Sequence, residues 1–399
     1  MHWGVRTTSI ILILLTVFFP GIVLWGGNFK IELIVLCIMS LCLILRINQV
    51  LLCIKPISII IFSYMLYVLL GGTGLFSGTF DFFSLRNILY PFIKALVLVI
   101  FLFLFLLKKT QTPLYDINRL ILLCFFIDSI FKVIEIMFPS VVSAWLNIIS
   151  IDDWWKDTLG MRNLGFRGVS IYDYSVAATL AVLIDFSLRS RKKINFIIYP
   201  LVLLSALSSG RTGLVVIFIF TLVYFYRYAP KIIISGFIFI ILIMYLSLFH
   251  SNELIHNQQL SWMFEPLLNI LNGNIETEST DDLLENHLFM PDNILGYGLW
   301  GQYGDMLGST IRGSDSGYIL IILYGGWVGF IFFLICSFSY LLYAYIKSQD
   351  KKLSIAIFFT FMLIMIKGPI IYSDYNAFIL MSLLIAPSFY IFYKAKENE

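Results

Sequence analysis

Charged residues are scarce in this sequence. Only 13% of its 399 residues are charged and 60% are hydrophobic, whereas about a quarter of the residues of a soluble domain are charged. The mean hydropathy is +0.91. This composition excludes an ordinary soluble domain and predicts an integral membrane protein. The formal net charge is only +3, so nothing in it favours a nucleic-acid partner.

Several motifs of soluble enzymes are also missing. No GxxxxGK[ST] phosphate loop occurs, and no polar stretch is long enough to bind a nucleotide sugar, so a sugar donor would have to arrive on its own lipid. The five cysteines show no disulfide framework, because four lie in apolar runs and Cys53 lies near the end of another. His250, His256 and His287 lack the spacing of zinc ligands, so we predict no metal site.

The sequence does contain many long apolar runs. A membrane-spanning helix needs about 20 mostly apolar residues, and the short alternating segments of barrel strands do not appear. We therefore predict an all-α polytopic protein in which residues 1–399 form a single membrane domain. The twelve predicted spans lie near residues 7–25, 30–46, 54–71, 87–107, 117–138, 171–188, 194–209, 212–228, 231–249, 316–346, 353–372 and 374–393.

Two of the predicted spans, the first and the tenth, have unusual features. The first, "SIILILLTVFFPGIVLW", follows Arg6 and lacks a small-residue cleavage site, so we interpret it as a retained span rather than a signal peptide. The tenth is long enough to bend at Gly325 and Gly326 or to tilt.

Lysine and arginine in the short connectors predict the orientation. With both termini cytoplasmic, 17 of the 27 basic residues lie inside, and the connectors "RSRKK" and "KSQDKK" contribute most strongly. Two long loops, residues 139–170 and 250–315, then lie outside.

The second external loop is acidic and longer than a connector needs. It contains ten acidic residues, and Arg312 is its only lysine or arginine. Its aromatic residues argue for an ordered structure, and "LSWMFEPLLNIL" is typical of a short helix lying on the membrane surface.

Arginines on the predicted external side are few, and four of them are candidate site residues. Arg162 and Arg167 lie in "MRNLGFRGVSIYDYS", Arg211 lies in the hairpin "LSSGRTGLVV", and Arg312 ends the long loop. A guanidinium group stays charged and binds two phosphate oxygens at once. Arg211 therefore either faces a cavity that holds an anion or anchors its hairpin by snorkelling to the interface. The acidic loop would repel an anion, so a local basic pocket is required.

A further charged group lies inside a predicted span. Asp128, Lys132 and Glu135 share one helix face in "FFIDSIFKVIEIMF". Such charges either neutralise one another or line a cavity.

The start of the tenth predicted span has a characteristic spacing. Asp315 and Ser316 are followed by nine residues, Gly326, two more residues and Gly329. This spacing is similar to that of the O-antigen ligases, and aspartate in place of their histidine is typical of the sister group, the O-antigen and capsule polymerases (Wzy type). "SSGRTG", "GFRGVSIYDYS", "WMFEPLLNILNG", "STDDLL" and "LGYG" resemble other segments of these polymerases. The resemblance covers about residues 160–335, and the first half of the chain matches only in hydropathy.

The resemblance implies a C-type glycosyltransferase of the bacterial inner membrane with its active site on the periplasmic face. Its donor and acceptor would both be undecaprenyl-pyrophosphate-linked glycans, and neither nucleotide nor metal is implied. A chain-length regulator and a flippase are the implied partners.

The resemblance also implies residue roles. Arg167 and Arg211 would contact pyrophosphate, with Arg312 as a third contact and Arg162 as the alternative to Arg167. Glu265 and Tyr318 would bind glycan or pyrophosphate. Asp315 would orient or deprotonate the acceptor hydroxyl, although an aspartate at a helix start is also a good N-cap.

Two other functions stay open. A ligase would transfer the glycan to lipid A core or a protein, and the aspartate at position 315 disfavours it. A flippase or transporter would use Asp128, Lys132 and Glu135 as a path, but no repeated halves are visible in the sequence, and a flippase has no need of the long external loop.

Overall fold

A computed structural model describes residues 3–19, 22–24, 27–73, 82–107, 112–149, 165–166, 171–188, 197–225, 281–292, 294–300, 314–348 and 350–397. Four predicted site residues, Arg162, Arg167, Glu265 and Arg312, lie outside these ranges, as does the predicted span 231–249.

The described chain is predominantly helical, as predicted. Its α-helices are α1 (Trp3–Ile13), α2 (Ile31–Ile44), α3 (Ile47–Ile54), α4 (Ser58–Leu70), α5 (Phe82–Phe101), α6 (Pro113–Met137), α7 (Pro139–Leu146), α8 (Tyr172–Leu188), α9 (Ile198–Ser209), α10 (Thr212–Val223), α11 (Gly317–Lys347), α12 (Lys351–Ile364) and α13 (Asp374–Glu397). A short antiparallel pair, β1 (Ile22–Leu24) and β2 (Gly27–Phe29), places Val23 opposite Asn28.

Three helical stretches are long and apolar enough to cross a membrane. They are Ile47–Leu70, Ser84–Leu106 and Gly317–Lys347, and they coincide with the predicted spans 54–71, 87–107 and 316–346. Large apolar side chains such as Leu41, Ile59 and Phe338 are exposed on helix surfaces, as a lipid environment allows. The helical membrane class is confirmed in this coarse form, while the count of twelve spans stays a prediction.

The chain divides into two compact units. Unit one comprises Met1–Phe18, Ile31–Ile121 and Ser279–Glu399. In it α11 packs against α4 and α12, and α5 packs against α2 and α13. Unit two comprises Phe19–Lys30 and Leu122–Glu278. In it α8 packs against both α9 and α10.

Helix α11 is broken at Gly326, which has φ 68° and ψ −169°. The break leaves backbone groups without helical partners, and residues 294–298 supply them. Tyr297 N–H donates to Leu323 O (2.7 Å), Gly298 N–H donates to Tyr324 O (3.0 Å), and Val328 N–H donates to Ile294 O (3.2 Å). The helix is therefore bent, which is one of the two geometries expected for this span. Residues 294–298, part of the second predicted external loop, bond to its backbone at the break.

Alanine at Gly326 is expected to destabilise the protein by about 3 kcal/mol, because this backbone region is essentially reserved for glycine. A Cβ atom there would also lie 2.1 Å from Ile294 O. The measurement is thermal unfolding in detergent. Gly325→Ala and Gly329→Ala are matched controls, since their Cβ atoms would meet Tyr67 only at ordinary contact distances of 3.5 and 3.6 Å. Equal unfolding temperatures for all three variants would contradict this prediction.

Candidate functional site

The turn that carries Arg211 is clamped against the start of α8 in unit two. Helix α9 ends at Ser209, Gly210 is extended, and Arg211 is the N-cap residue of α10. Ser175 Oγ donates to Gly210 O and accepts a hydrogen bond from Gly213 N–H (2.9 Å). A Cβ atom on Gly210 would lie 3.0 Å from Tyr172 Cα. The small residues of "SSGRTG" thus allow close packing that holds the backbone of Arg211 in place.

Lys132 on α6 contacts the same turn. Its Nζ donates to Ser209 Oγ at 2.7 Å and lies 3.5 Å from the centre of the Tyr174 ring. Asp128 Oδ2 lies 3.8 Å from Nζ, and both side chains are only 2% exposed. The expected pairing of Lys132 with Asp128 is present, but the ammonium group also binds outside its own helix.

The two carboxylates of this face bind the segment that precedes Arg167. Asp128 Oδ1 accepts a hydrogen bond from Phe166 N–H (2.7 Å), and Glu135 Oε2 accepts one from Gly165 N–H (3.2 Å). Gly165 has φ +63°, and a Cβ atom on it would lie 2.8 Å from both Asp128 Oδ1 and Lys132 Cε. These carboxylates therefore do more than neutralise Lys132, because they also bind the backbone of Gly165 and Phe166.

Aromatic packing holds the same segment. The Phe166 ring stacks on Phe131 of α6 at 4.6 Å and meets Trp145 of α7 edge-on at 6.1 Å. Phe166 directly precedes Arg167 in the chain. The backbone that leads into Arg167 is consequently anchored on both its polar and its apolar side.

We call Asp128, Lys132 and Glu135 the charged face of α6. It contacts Gly165 and Phe166, which directly precede Arg167 in the chain, and Ser209, which precedes the turn of Arg211. This face carries two acidic residues and one basic residue.

Asp315 lies in unit one, and it does not occupy the N-cap position of α11. That position belongs to Ser316, which makes no side-chain cap hydrogen bond. Instead Ser316 N–H donates to Ser314 Oγ (3.0 Å), and Ser314 Oγ donates to His287 O (2.7 Å). The capping role proposed for Asp315 from the sequence is not the geometry observed.

The neighbour of Asp315 is His287. Asp315 N–H donates to His287 Nδ1 at 3.0 Å. His287 Nε2 lies 3.7 Å from Asp315 Oδ2 and 3.4 Å from Asp282 Oδ2. Sequence reasoning excluded His287 as a zinc ligand and missed this contact, because 28 residues separate the two positions.

Tyr318 lies in the first turn of α11 and anchors that helix to α12. Its hydroxyl donates to Met362 O. Its ring meets those of Phe330 and Phe333 edge-on at 6.0 and 6.3 Å. The contacts of Tyr318 are thus packing contacts within unit one.

Sequence reasoning also missed an ion triad in unit one whose central lysine is buried. Lys94 Nζ of α5 lies 3.0 Å from Glu32 Oε2 of α2 and 2.7 Å from Asp374 Oδ2 of α13. The available signal was a charged residue in or beside an apolar run in each of the three helices. Such isolated charges are expensive in a membrane unless they pair.

Arg86 is a further arginine on the predicted external side of the membrane. It lies between the predicted spans 54–71 and 87–107, and so on the same predicted side as the other four arginines. Its side chain is exposed, and its guanidinium carbon lies 6.0 Å from the centre of the Tyr90 ring.

Within the described parts of the chain, no group of three or more His, Cys, Asp or Glu residues is arranged to hold a metal ion. Of the predicted site residues, Arg211 belongs to unit two, whereas Asp315 and Tyr318 belong to unit one. The chain matches no protein-family model, no curated protein and no solved structure.

Proposed function

We propose that this protein is a membrane glycosyltransferase that polymerises undecaprenyl-pyrophosphate-linked oligosaccharide repeat units into O-antigen or a related surface polysaccharide. One observation carries the proposal. The charged face of α6 binds both the turn that bears Arg211 and the residues that lead into Arg167. Arg167 and Arg211 follow these two anchored segments in the chain, and two arginines would suit the two phosphates of a lipid-linked donor.

In this reaction the acceptor hydroxyl oxygen forms a bond to the anomeric carbon of the donor glycan. The bond between that carbon and the pyrophosphate oxygen breaks, and undecaprenyl pyrophosphate leaves with the bonding electron pair. Arg211 and Arg167 stabilise the charge that develops on the leaving group. Asp315 accepts the proton of the acceptor hydroxyl. Arg162, Arg312, Glu265 and Tyr318 are the proposed further contacts to pyrophosphate or glycan.

The proposed setting is the bacterial inner membrane, with twelve spans, both termini in the cytoplasm and the reaction on the periplasmic face. The distribution of lysine and arginine among the connectors supports this orientation. A flippase would deliver the substrate, and a chain-length regulator would act on the product.

The test is a reaction in nanodiscs that contain the purified protein. The substrate is the lipid-linked unit extracted from a strain that lacks this protein. We expect a ladder of glycans that differ by one repeat unit on a gel. Transfer of a single unit to a different acceptor would instead identify a ligase.

A transporter of the lipid-linked unit is the rival that one observation favours. In the triad of Lys94, Glu32 and Asp374, the lysine and the aspartate are buried and Glu32 is partly exposed, and charges inside a membrane often line substrate or ion paths. In proteoliposomes a transporter would move the unit between leaflets and form no new glycosidic bond. In cells, accumulation of single-repeat glycan outside the membrane after deletion of the gene would support the polymerase and exclude the flippase.

A further inference from the structure

The short helical turn at Leu283–His287 is tied to the start of α11 by backbone and side-chain contacts. Ser314 Oγ donates to His287 O at 2.7 Å, and Asp315 N–H donates to His287 Nδ1 at 3.0 Å. The carbonyl and the ring of His287 thus each accept a hydrogen bond from one of the two residues that precede Ser316.

The second contact determines where the imidazole carries its hydrogen. A nitrogen that accepts from a backbone N–H has no hydrogen of its own, so in the neutral ring the hydrogen lies on Nε2. Nε2–H then faces the carboxylates of Asp282 and Asp315, at 3.4 and 3.7 Å. These separations are longer than hydrogen bonds. Catalytic hydrogen bonds are often long before substrate binds and shorten in the complex.

His287 is badly placed to act as the base itself. Its Nδ1 lone pair is occupied by Asp315 N–H, and its Nε2 already carries a hydrogen. Its side chain is 17% exposed, whereas that of Asp315 is 33% exposed. A substrate hydroxyl therefore reaches the carboxylate more readily than the ring.

We propose that His287 is the positioning residue of Asp315, and that its Nε2–H aims the Asp315 carboxylate at the acceptor hydroxyl while its Nδ1 holds the Asp315 backbone. This inference rests on the proposed function, in which Asp315 accepts the acceptor proton. In this proposal the second predicted external loop, residues 250–315, contributes to the site by placing His287 beside Asp315. Nε2–H also separates the like charges of Asp282 and Asp315.

Two substitutions separate the two contacts of the ring. Glutamine places its amide near the position of Nε2 and keeps a donor towards the carboxylates, whereas asparagine keeps only an acceptor near the position of Nδ1. For the polymerisation assay we expect His287→Asn to lower kcat about tenfold with KM nearly unchanged, since part of a general-base contribution of about 10²–10⁴-fold is lost. His287→Gln should restore most of that loss. His256→Asn, in the same segment, is the control and should leave kcat unchanged.

Equal losses in the asparagine and glutamine variants would overturn the positioning role, and so would wild-type kcat in His287→Asn. An independent readout is the tautomer of the ring. The chain has four histidines, so replacement of His2, His250 and His256 by glutamine leaves His287 as the only ¹⁵N-histidine signal. We expect the Nε2–H tautomer, and an Nδ1–H tautomer would overturn the inference even if the enzyme is active. Absence of any polymer from wild-type protein would instead overturn the proposed function, while the NMR result would still test the contact.

Discussion

Alanine in place of Arg211 is expected to lower the rate of polymer formation by at least about 100-fold, the usual loss when one preorganised group that stabilises developing charge is removed. The guanidinium group would offset the charge that appears on the leaving pyrophosphate. Arg211→Lys should recover only part of the rate, because an ammonium group cannot bind two oxygens in a fork. The measurement is the initial rate of ladder formation in nanodiscs at saturating substrate.

Folding has to be excluded as the cause of that loss. The Arg211 side chain is only partly buried and its turn is held by Ser175 and Gly213, so Arg211→Ala should unfold at nearly the wild-type temperature. Arg6→Ala, on the predicted cytoplasmic side, is the matched control and should keep full activity. A full ladder at the wild-type rate from Arg211→Ala would refute the assignment of this arginine to the donor.

Replacement of Lys132 by methionine is expected to destabilise the protein by about 3–5 kcal/mol, as is typical when one partner of a buried charge pair is removed. Methionine has a similar length and fills the space, so the effect reports the lost charge. Asp128 would be left buried with one ammonium partner fewer, and Ser209 would lose its donor. The measurement is the free energy of unfolding in mixed micelles.

Two further variants make this expectation specific. Lys55 is exposed, so Lys55→Met should cost well under 1 kcal/mol. The double variant Lys132→Met with Asp128→Asn should recover part of the lost stability, because asparagine removes the stranded charge and still accepts from Phe166 N–H. If Lys132→Met unfolded like Lys55→Met, the buried network would not contribute to stability.

The bend in α11 was only partly predictable from the sequence. The length of the apolar run and its adjacent glycines predicted either a bend at Gly325 and Gly326 or a tilt of the helix. The pattern could not choose between them, because both residues are equally permissive. The choice depends on Ile294 O and on the N–H groups of Tyr297 and Gly298, which reach the helix from a distant part of the chain.

The contact between Asp315 and His287, in contrast, was not predictable from the sequence. The position of Asp315 before a helix left two roles open, a contact to the acceptor and a local helix cap. The observed partner is His287, which arrives through the fold of a separate segment. A contact of this kind has no periodicity in the sequence, so residue patterns do not reveal it.

Hydropathy by itself determined that this chain is a helical membrane protein. Backbone groups in lipid must bond within their own segment, so each membrane-spanning helix requires a long apolar run in the sequence. Tertiary structure alone decided what the buried charges do. Lys94 pairs with Glu32 and Asp374, and the charged face of α6 holds the residues beside two candidate arginines. The reason is physical: a buried charge must find a partner, but helix packing, not spacing along the chain, determines which partner is within reach.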